Sequence, residues 1–479
     1  MVAIRTSSAS ELLVTISRDG DGPLHAQLEH ELRRAVRSGR LRPGAALPST
    51  RSLAAQLGVS RGVVVEAYEQ LVAEGYLTGH GRSATRVARK GVQAVPEPRP
   101  AASASASKLR IDFRPGRPDV TQFPRAAWLR SVRRVLNDAP SERLSYPTGH
   151  GLPELREALA AYLNRVRGTQ AHADHVVISN GFSQGLALLS SVLRASGARR
   201  LAVEDPSHDM ARACIRAAGL EVIAVPVDSD GLRVDALERT RADAVLVTPA
   251  HQYPTGGVLP PARRAALISW ARRRDAIVVE DDYDAEYRYD RDPIGCIQGL
   301  APEHVVYGGS ASKTLAPGLR LGWMVLPGRM VEAMADAKLG FDNGSPTIDQ
   351  LAFADFLLRG EQDRHLRRMR PIYRARRDAL KTALDRHLPE LEHCGSAAGL
   401  HLMVWLPSDW DEAAVVKLAA DAGIGVYGLS AYWAVPGSGD PGLIFGYAGV
   451  SETAIEDGVR ALSSALRASG APTAEERAS

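Results

Sequence analysis

Lysine is nearly missing from this chain. Among its 59 Lys plus Arg residues only six are lysine: Lys90, Lys108, Lys313, Lys338, Lys381 and Lys417. Cysteine is rarer still. Cys214, Cys296 and Cys394 are odd in number and far apart, which excludes a disulfide framework and a clustered zinc site and fits a reducing interior. No uninterrupted apolar run has the length of a membrane span, and the opening MVAIRTSSASELLVTISRDG has neither the apolar core nor the cleavage pattern of a signal peptide. Internal repeats are missing too. These absences predict a cytoplasmic protein with no membrane association and no metal.

What is present is a folded protein of more than one domain. An apolar fraction of 45% with 24% charge belongs to a globular chain, and 479 residues are too many for one ordinary domain. The net charge of +4 is unevenly spread: residues 1–90 hold 13 basic and 8 acidic side chains, the rest 46 and 47. A basic N-terminal end fits an appended polyanion-binding module. The stretch AVPEPRPAASASASKLR, Ala94 to Arg110, has almost nothing to bury and reads as a linker. The expected domains are 15–88, a linker over 89–110, and a large domain over 111–466.

In the first domain, Leu24, Leu28, Leu32 and Val36 form one apolar helical stripe. A short helix carrying Leu53, Ala54 and Leu57 ends at Gly58, and Ser60 can cap a third helix with Val64, Ala67, Tyr68 and Leu71 facing inward. YLTGHGRSATRVA then reads as a hairpin, giving a winged helix-turn-helix. The large domain alternates helical stretches with the apolar strands HVVISNG, RRLAVEDP, LEVIAVPVD, DAVLVTP, AIVVEDDY and HVVYGGS. That pattern predicts an α/β fold with a parallel sheet covered on both faces, its chemistry at the carboxyl ends of the strands.

One of the rare lysines stands at such an end, in SASKTLAPGLRLGW. Unlike arginine, lysine can lose its proton and attack a carbonyl. An aldehyde cofactor held as a Schiff base needs that amine, a carboxylate against its pyridine nitrogen, and cationic or hydroxyl partners for its phosphate. Lys313, Asp281, Ser310 and Arg320 supply these parts, and Tyr283 would face the ring hydroxyl.

Several motifs, in order, carry a resemblance: GRLRPGAALPSTRSLAAQLGVSR and AYEQLVAEGYL in front, then YPTGHGLPELREAL, TPAHQYPTGG, EDDYDAEYRY, SASKTLAPGLRLGW and AGLH. The large domain resembles fold-type I pyridoxal-phosphate aminotransferases with a smaller C-terminal α/β subdomain. The whole chain resembles MocR-type regulators, the branch of the GntR family that joins a winged helix to such a domain. The resemblance implies pyridoxal 5'-phosphate as cofactor, with Lys313 as Schiff-base lysine, Asp281 against the pyridinium and Tyr283 on the ring hydroxyl. It implies phosphate contacts from Ser310, Arg320 and the turn carrying Gly181, Phe182 and Ser183, and a ring near the cofactor face from His208. Tyr146 matches a tyrosine that reaches the neighbouring subunit's phosphate, which implies a homodimer with shared sites.

In front, the resemblance puts Ser49, Thr50 and Arg51 at the start of the second helix and Ser60 and Arg61 at the start of the third. The third helix would enter the major groove of promoter DNA, and Arg82 at the hairpin tip would reach the minor groove. Two departures concern the ligand. Tyr253 precedes Pro254 where aminotransferases carry Asn, and the strand GLIFGYAG has Ile444 or Phe445 where they keep an arginine for the substrate carboxylate. The expected function is a pyridoxal-phosphate-dependent transcriptional regulator of vitamin B6 or amino-compound metabolism, responding to the cofactor or to an amine. The alternatives are a turnover aminotransferase with a DNA-binding arm and a scaffold without cofactor.

Overall fold

The computed structural model describes residues 14, 16–17, 22–79, 84–88, 109–289, 295–395, 398–435 and 438–468. Two compact units emerge, Met1–Ser105 and Ala106–Ser479.

In the first unit, Leu24–Arg37 (α1), Thr50–Leu57 (α2) and Arg61–Ala73 (α3) precede a short antiparallel pair, Leu77–Thr78 (β1) and Arg86–Val87 (β2). Leu28, Leu32, Leu53, Val64, Ala67, Tyr68 and Leu71 form its core, as the four-residue and three-residue spacings require. Gly58 ends α2 at φ 65°, a left-handed turn that glycine adopts without strain, and so redirects the chain into α3. The Tyr68 hydroxyl donates to the Pro48 carbonyl at 3.0 Å, fixing α3 against the entry to α2.

The second unit opens with Ile111–Asp112 (β3). Its main sheet contains Val176–Ser179 (β4), Arg200–Asp205 (β5), Glu221–Asp228 (β6), Gly231–Leu232 (β7), Ala244–Val247 (β8), Ile277–Asp281 (β9), Val305–Ser310 (β10) and Gly322–Val325 (β11). They lie in the order β4-β11-β10-β9-β8-β5-β6-β7. The six strands expected from sequence run in one direction. The sheet is nevertheless mixed, because β11 is antiparallel to both β10 and β4, and β7 is antiparallel to β6. β4 and β8 are buried along their whole length, as strands covered on both faces must be.

The smaller subdomain pairs His393–Cys394 (β12), His401–Trp405 (β13), Tyr427–Gly428 (β15) and Gly442–Gly446 (β16) in an antiparallel sheet. Ile424–Gly425 (β14) pairs in parallel with β3. The segment before β3 therefore belongs to this body: the Arg110 amide donates to the Gly423 carbonyl at 2.8 Å. Phe113, Leu402, Phe445 and Val459 are among the residues of its core.

Candidate functional site

The cavity that matters opens at the carboxyl ends of β4, β5, β8, β9 and β10. Side chains alternate along β9, so consecutive acids face opposite ways. Glu280 turns inward, where its carboxylate accepts from the Ile297 and Gln298 amides at 2.9 and 3.0 Å. Asp282 is clamped by Arg167 at 2.6 Å and by the Tyr307 hydroxyl at 2.7 Å. Asp281 and Tyr283 are left facing a cavity of 530 Å³, together with Lys313, Ser310, Ser312, Arg320, Phe182, Ser183 and His208.

Lys313 sits in the turn after β10 and donates from Nζ to the Gly116 carbonyl at 2.6 Å. Burial lowers its pKa below the ordinary 10.5, against the pull of the Asp284 and Asp281 carboxylates. Burial also holds the Asp281 carboxyl well above the usual carboxylate range, with Asp282 adding to the rise and Lys313 opposing it. The Tyr283 hydroxyl lies 3.0 Å from His251 Nδ1 and donates to the His251 carbonyl at 3.1 Å, and His251 Nδ1 lies 3.0 Å from Asp284. His208 stacks on Tyr253 with centroids 5.5 Å apart, and Tyr432 meets both rings edge-on.

The opposite end of the cavity is a cradle for an anion. Gly181 precedes the helix Phe182–Ala195 at φ 84°, and a Cβ there would stand 2.7 Å from Arg320 Nη2. Gly322 faces it so closely that its own Cβ would lie 2.7 Å from the Gly181 backbone. The two glycines let the helix start and the Arg320 side chain converge, and Arg320 Nη2 donates to the Asn180 carbonyl at 2.6 Å. Backbone amides at a helix start, serine hydroxyls and a guanidinium are a phosphate-binding set. At the other end, the Asp281 carboxylate has no hydrogen-bond partner among the described residues, and a protonated ring nitrogen would give it one. The residues therefore fit pyridoxal phosphate at both ends.

Tyr146 does not join them: it is 87% exposed and outside the cavity. Ile444 and Phe445 are fully buried in the two apolar clusters of the smaller subdomain, so this part of the strand presents no anion-binding group. Sequence reasoning missed Arg114, Gly116, Thr248, Ser312, Tyr427 and Tyr432, all of which line the cavity. Ser312, beside Lys313, and Thr248, at the carboxyl end of β8, had local signals.

In the first unit, Ser49, Arg51, Ser60 and Arg61 are exposed and Thr50 is half-buried at the two helix starts. Ser49 caps α2, its hydroxyl accepting from the Ser52 amide at 3.2 Å. Ser60 holds the corresponding position before α3 but makes no side-chain cap, contrary to expectation. Its extended backbone starts the helix while its hydroxyl stays exposed. Arg61 reaches back to the Thr50 hydroxyl at 3.4 Å, bringing the two helix starts together. Arg82 lies outside the described residues.

Comparison with known proteins agrees with both units. Residues 116–462 match the family "Aminotransferase class I and II", whose members use pyridoxal phosphate, and residues 24–87 match "Bacterial regulatory proteins, gntR family". The chain is 34% identical over 440 residues to the HTH-type pyridoxine biosynthesis transcriptional regulator PdxR of Corynebacterium glutamicum, covering 91% of this chain and 95% of that one. It is 31% identical over 482 residues to the probable rhizopine catabolism regulatory protein MocR of Rhizobium meliloti, covering 96% and 97%. Among solved structures, the kynurenine aminotransferase of Pyrococcus horikoshii aligns with a TM-score of 0.70 at 27% identity, covering 76% of this chain and 92% of that one. Among the described residues, no helix is long and apolar enough to cross a membrane. A GntR-type helix-turn-helix and an aminotransferase-fold domain in one chain, matched over more than nine-tenths of its length by these regulators, place this protein in the family of MocR-type transcriptional regulators.

Proposed function

We propose that this regulator holds pyridoxal phosphate in the 530 Å³ cavity and reads its ligand state out as promoter binding. The observation that carries the reading is the convergence of Lys313, Asp281, Tyr283, Ser310 and Arg320, from separate strand ends, on one cavity. Bound there, the cofactor supplies an aldehyde, to which a primary amine can attach, and an electron-withdrawing ring.

The chain's own residues divide the work. Lys313 offers an amine whose burial favours the neutral, nucleophilic form. Asp281 holds a proton at the ring nitrogen, and Tyr283, kept in place by His251 and Asp284, orients the ring hydroxyl. Gly181, Phe182, Ser183, Ser310 and Arg320 take the phosphate, while His208 covers one face of the ring. Tyr146 contributes to the site of a second copy, which makes the working form a homodimer. Ser49, Thr50, Arg51, Ser60, Arg61 and Arg82 form the DNA-binding set.

A relative named for pyridoxine biosynthesis and another named for rhizopine catabolism support control of vitamin B6 or amino-compound metabolism in response to the cofactor or an amine. Purified protein mixed with pyridoxal phosphate should turn yellow, and Lys313→Ala should abolish the visible band. A colourless wild type defeats the reading.

A further inference from the structure

The cavity has a second arginine, and it is held by Tyr427 and Asp112 rather than by the Asn180 carbonyl that holds Arg320. Of the described lining residues, only Arg114 and Arg320 carry a guanidinium. Arg320 serves the Gly181 end. Arg114 lies two residues before Gly116, the residue whose carbonyl accepts from Lys313 Nζ. It therefore borders the amine-binding side of the cavity.

Three contacts hold Arg114 in place. Its Nε donates to the Tyr427 hydroxyl at 2.6 Å, and that hydroxyl donates onward to Asp112 Oδ1 at 2.7 Å. The guanidinium also lies over the Tyr427 ring, 5.2 Å from the centroid. Asp112 Oδ2 stands 3.5 Å from Nε, on the same edge. All three contacts use the Nε edge or the flat face. Nη1 and Nη2 make no hydrogen bond among the described residues. The side chain is 45% exposed, so its charge costs little to hold and is open to an incoming anion. A guanidinium with one edge fixed and its outer nitrogens presented loses little entropy when it takes a planar carboxylate.

The strand at Ile444 and Phe445 offers no such group. We infer that Arg114, oriented by Tyr427, binds the carboxylate of the effector, and that the effector is a small molecule carrying both a primary amine and a carboxylate. This rests on the proposal that Lys313 and pyridoxal phosphate handle the amine, and it adds the anion-recognising group. Two segments far apart in sequence, before Gly116 and at β15, would build this subsite.

The test uses the full-length protein loaded with pyridoxal phosphate. Alanine and β-alanine are each titrated against their own primary amides, and binding is followed by the shift of the visible band and by calorimetry. The wild type should prefer the acid of at least one pair by tenfold or more. In Arg114→Gln that preference should fall to within about threefold, and Arg114→Lys, which keeps the charge but not the fork, should fall between the two. A wild type that binds acids and amides alike overturns the inference, as does a full preference surviving in Arg114→Gln. Failure of the parent proposal looks different: the wild type then shows no visible band before any amine is added.

Discussion

Lys313 is unusual less for its identity than for its surroundings. A buried ammonium loses hydration, and the nearby Asp284 and Asp281 carboxylates restore only part of that loss, so the pKa falls below 10.5. The neutral, nucleophilic fraction is thus larger at a given pH than for an exposed lysine. The rate at which the visible band forms should rise with pH and level off below 10.5, measured by stopped-flow absorbance with cofactor in excess. A rate still climbing through 10.5 would show an ordinary solvated amine. Lys313, Asp281, Tyr283, Ser310 and Arg320 were legible because each follows or ends an apolar run, where an open α/β sheet gathers its ligands. Arg114 and Tyr427 were not. Their bond joins residues 313 positions apart, a closeness that no local pattern encodes.

At the level of elements, the helices of the first unit announced themselves through spacing, and their inward faces are those buried. The strands β7 and β11 did not. β11, four buried residues of GWMV, directly follows the Arg320 turn and shows no alternation of polar and apolar residues. β7 is two residues long. Both change the sheet from parallel to mixed, yet leave the cavity at the same strand ends. The exposed starts of α2 and α3 make a prediction about DNA. Arg51→Ala and Arg61→Ala should each weaken promoter binding, and each lost phosphate contact should reduce the salt-dependence slope by about one. Fluorescence anisotropy across a salt series measures this. Unchanged affinity and slope in both variants would remove these helix starts from the DNA-facing surface.

For the whole molecule, Arg110 and Ile111, at the boundary expected between linker and large domain, are bonded to Gly423 and β14. Residues 106–479 should therefore keep the cofactor site when the first unit is removed. Light scattering of that fragment should give a dimer, since Tyr146, proposed to reach the site of a second copy, lies in the second unit; a monomer would contradict the proposed assembly.

If Lys313 serves as proposed, one amine in this chain bonds to the aldehyde of pyridoxal phosphate. Borohydride makes that bond permanent, and mass spectrometry of the digested protein then reports where it formed. One modified peptide is expected, carrying Lys313, at close to one cofactor per chain. Label spread over Lys338, Lys381 and Lys417, or a Lys313 peptide recovered unmodified, would contradict it.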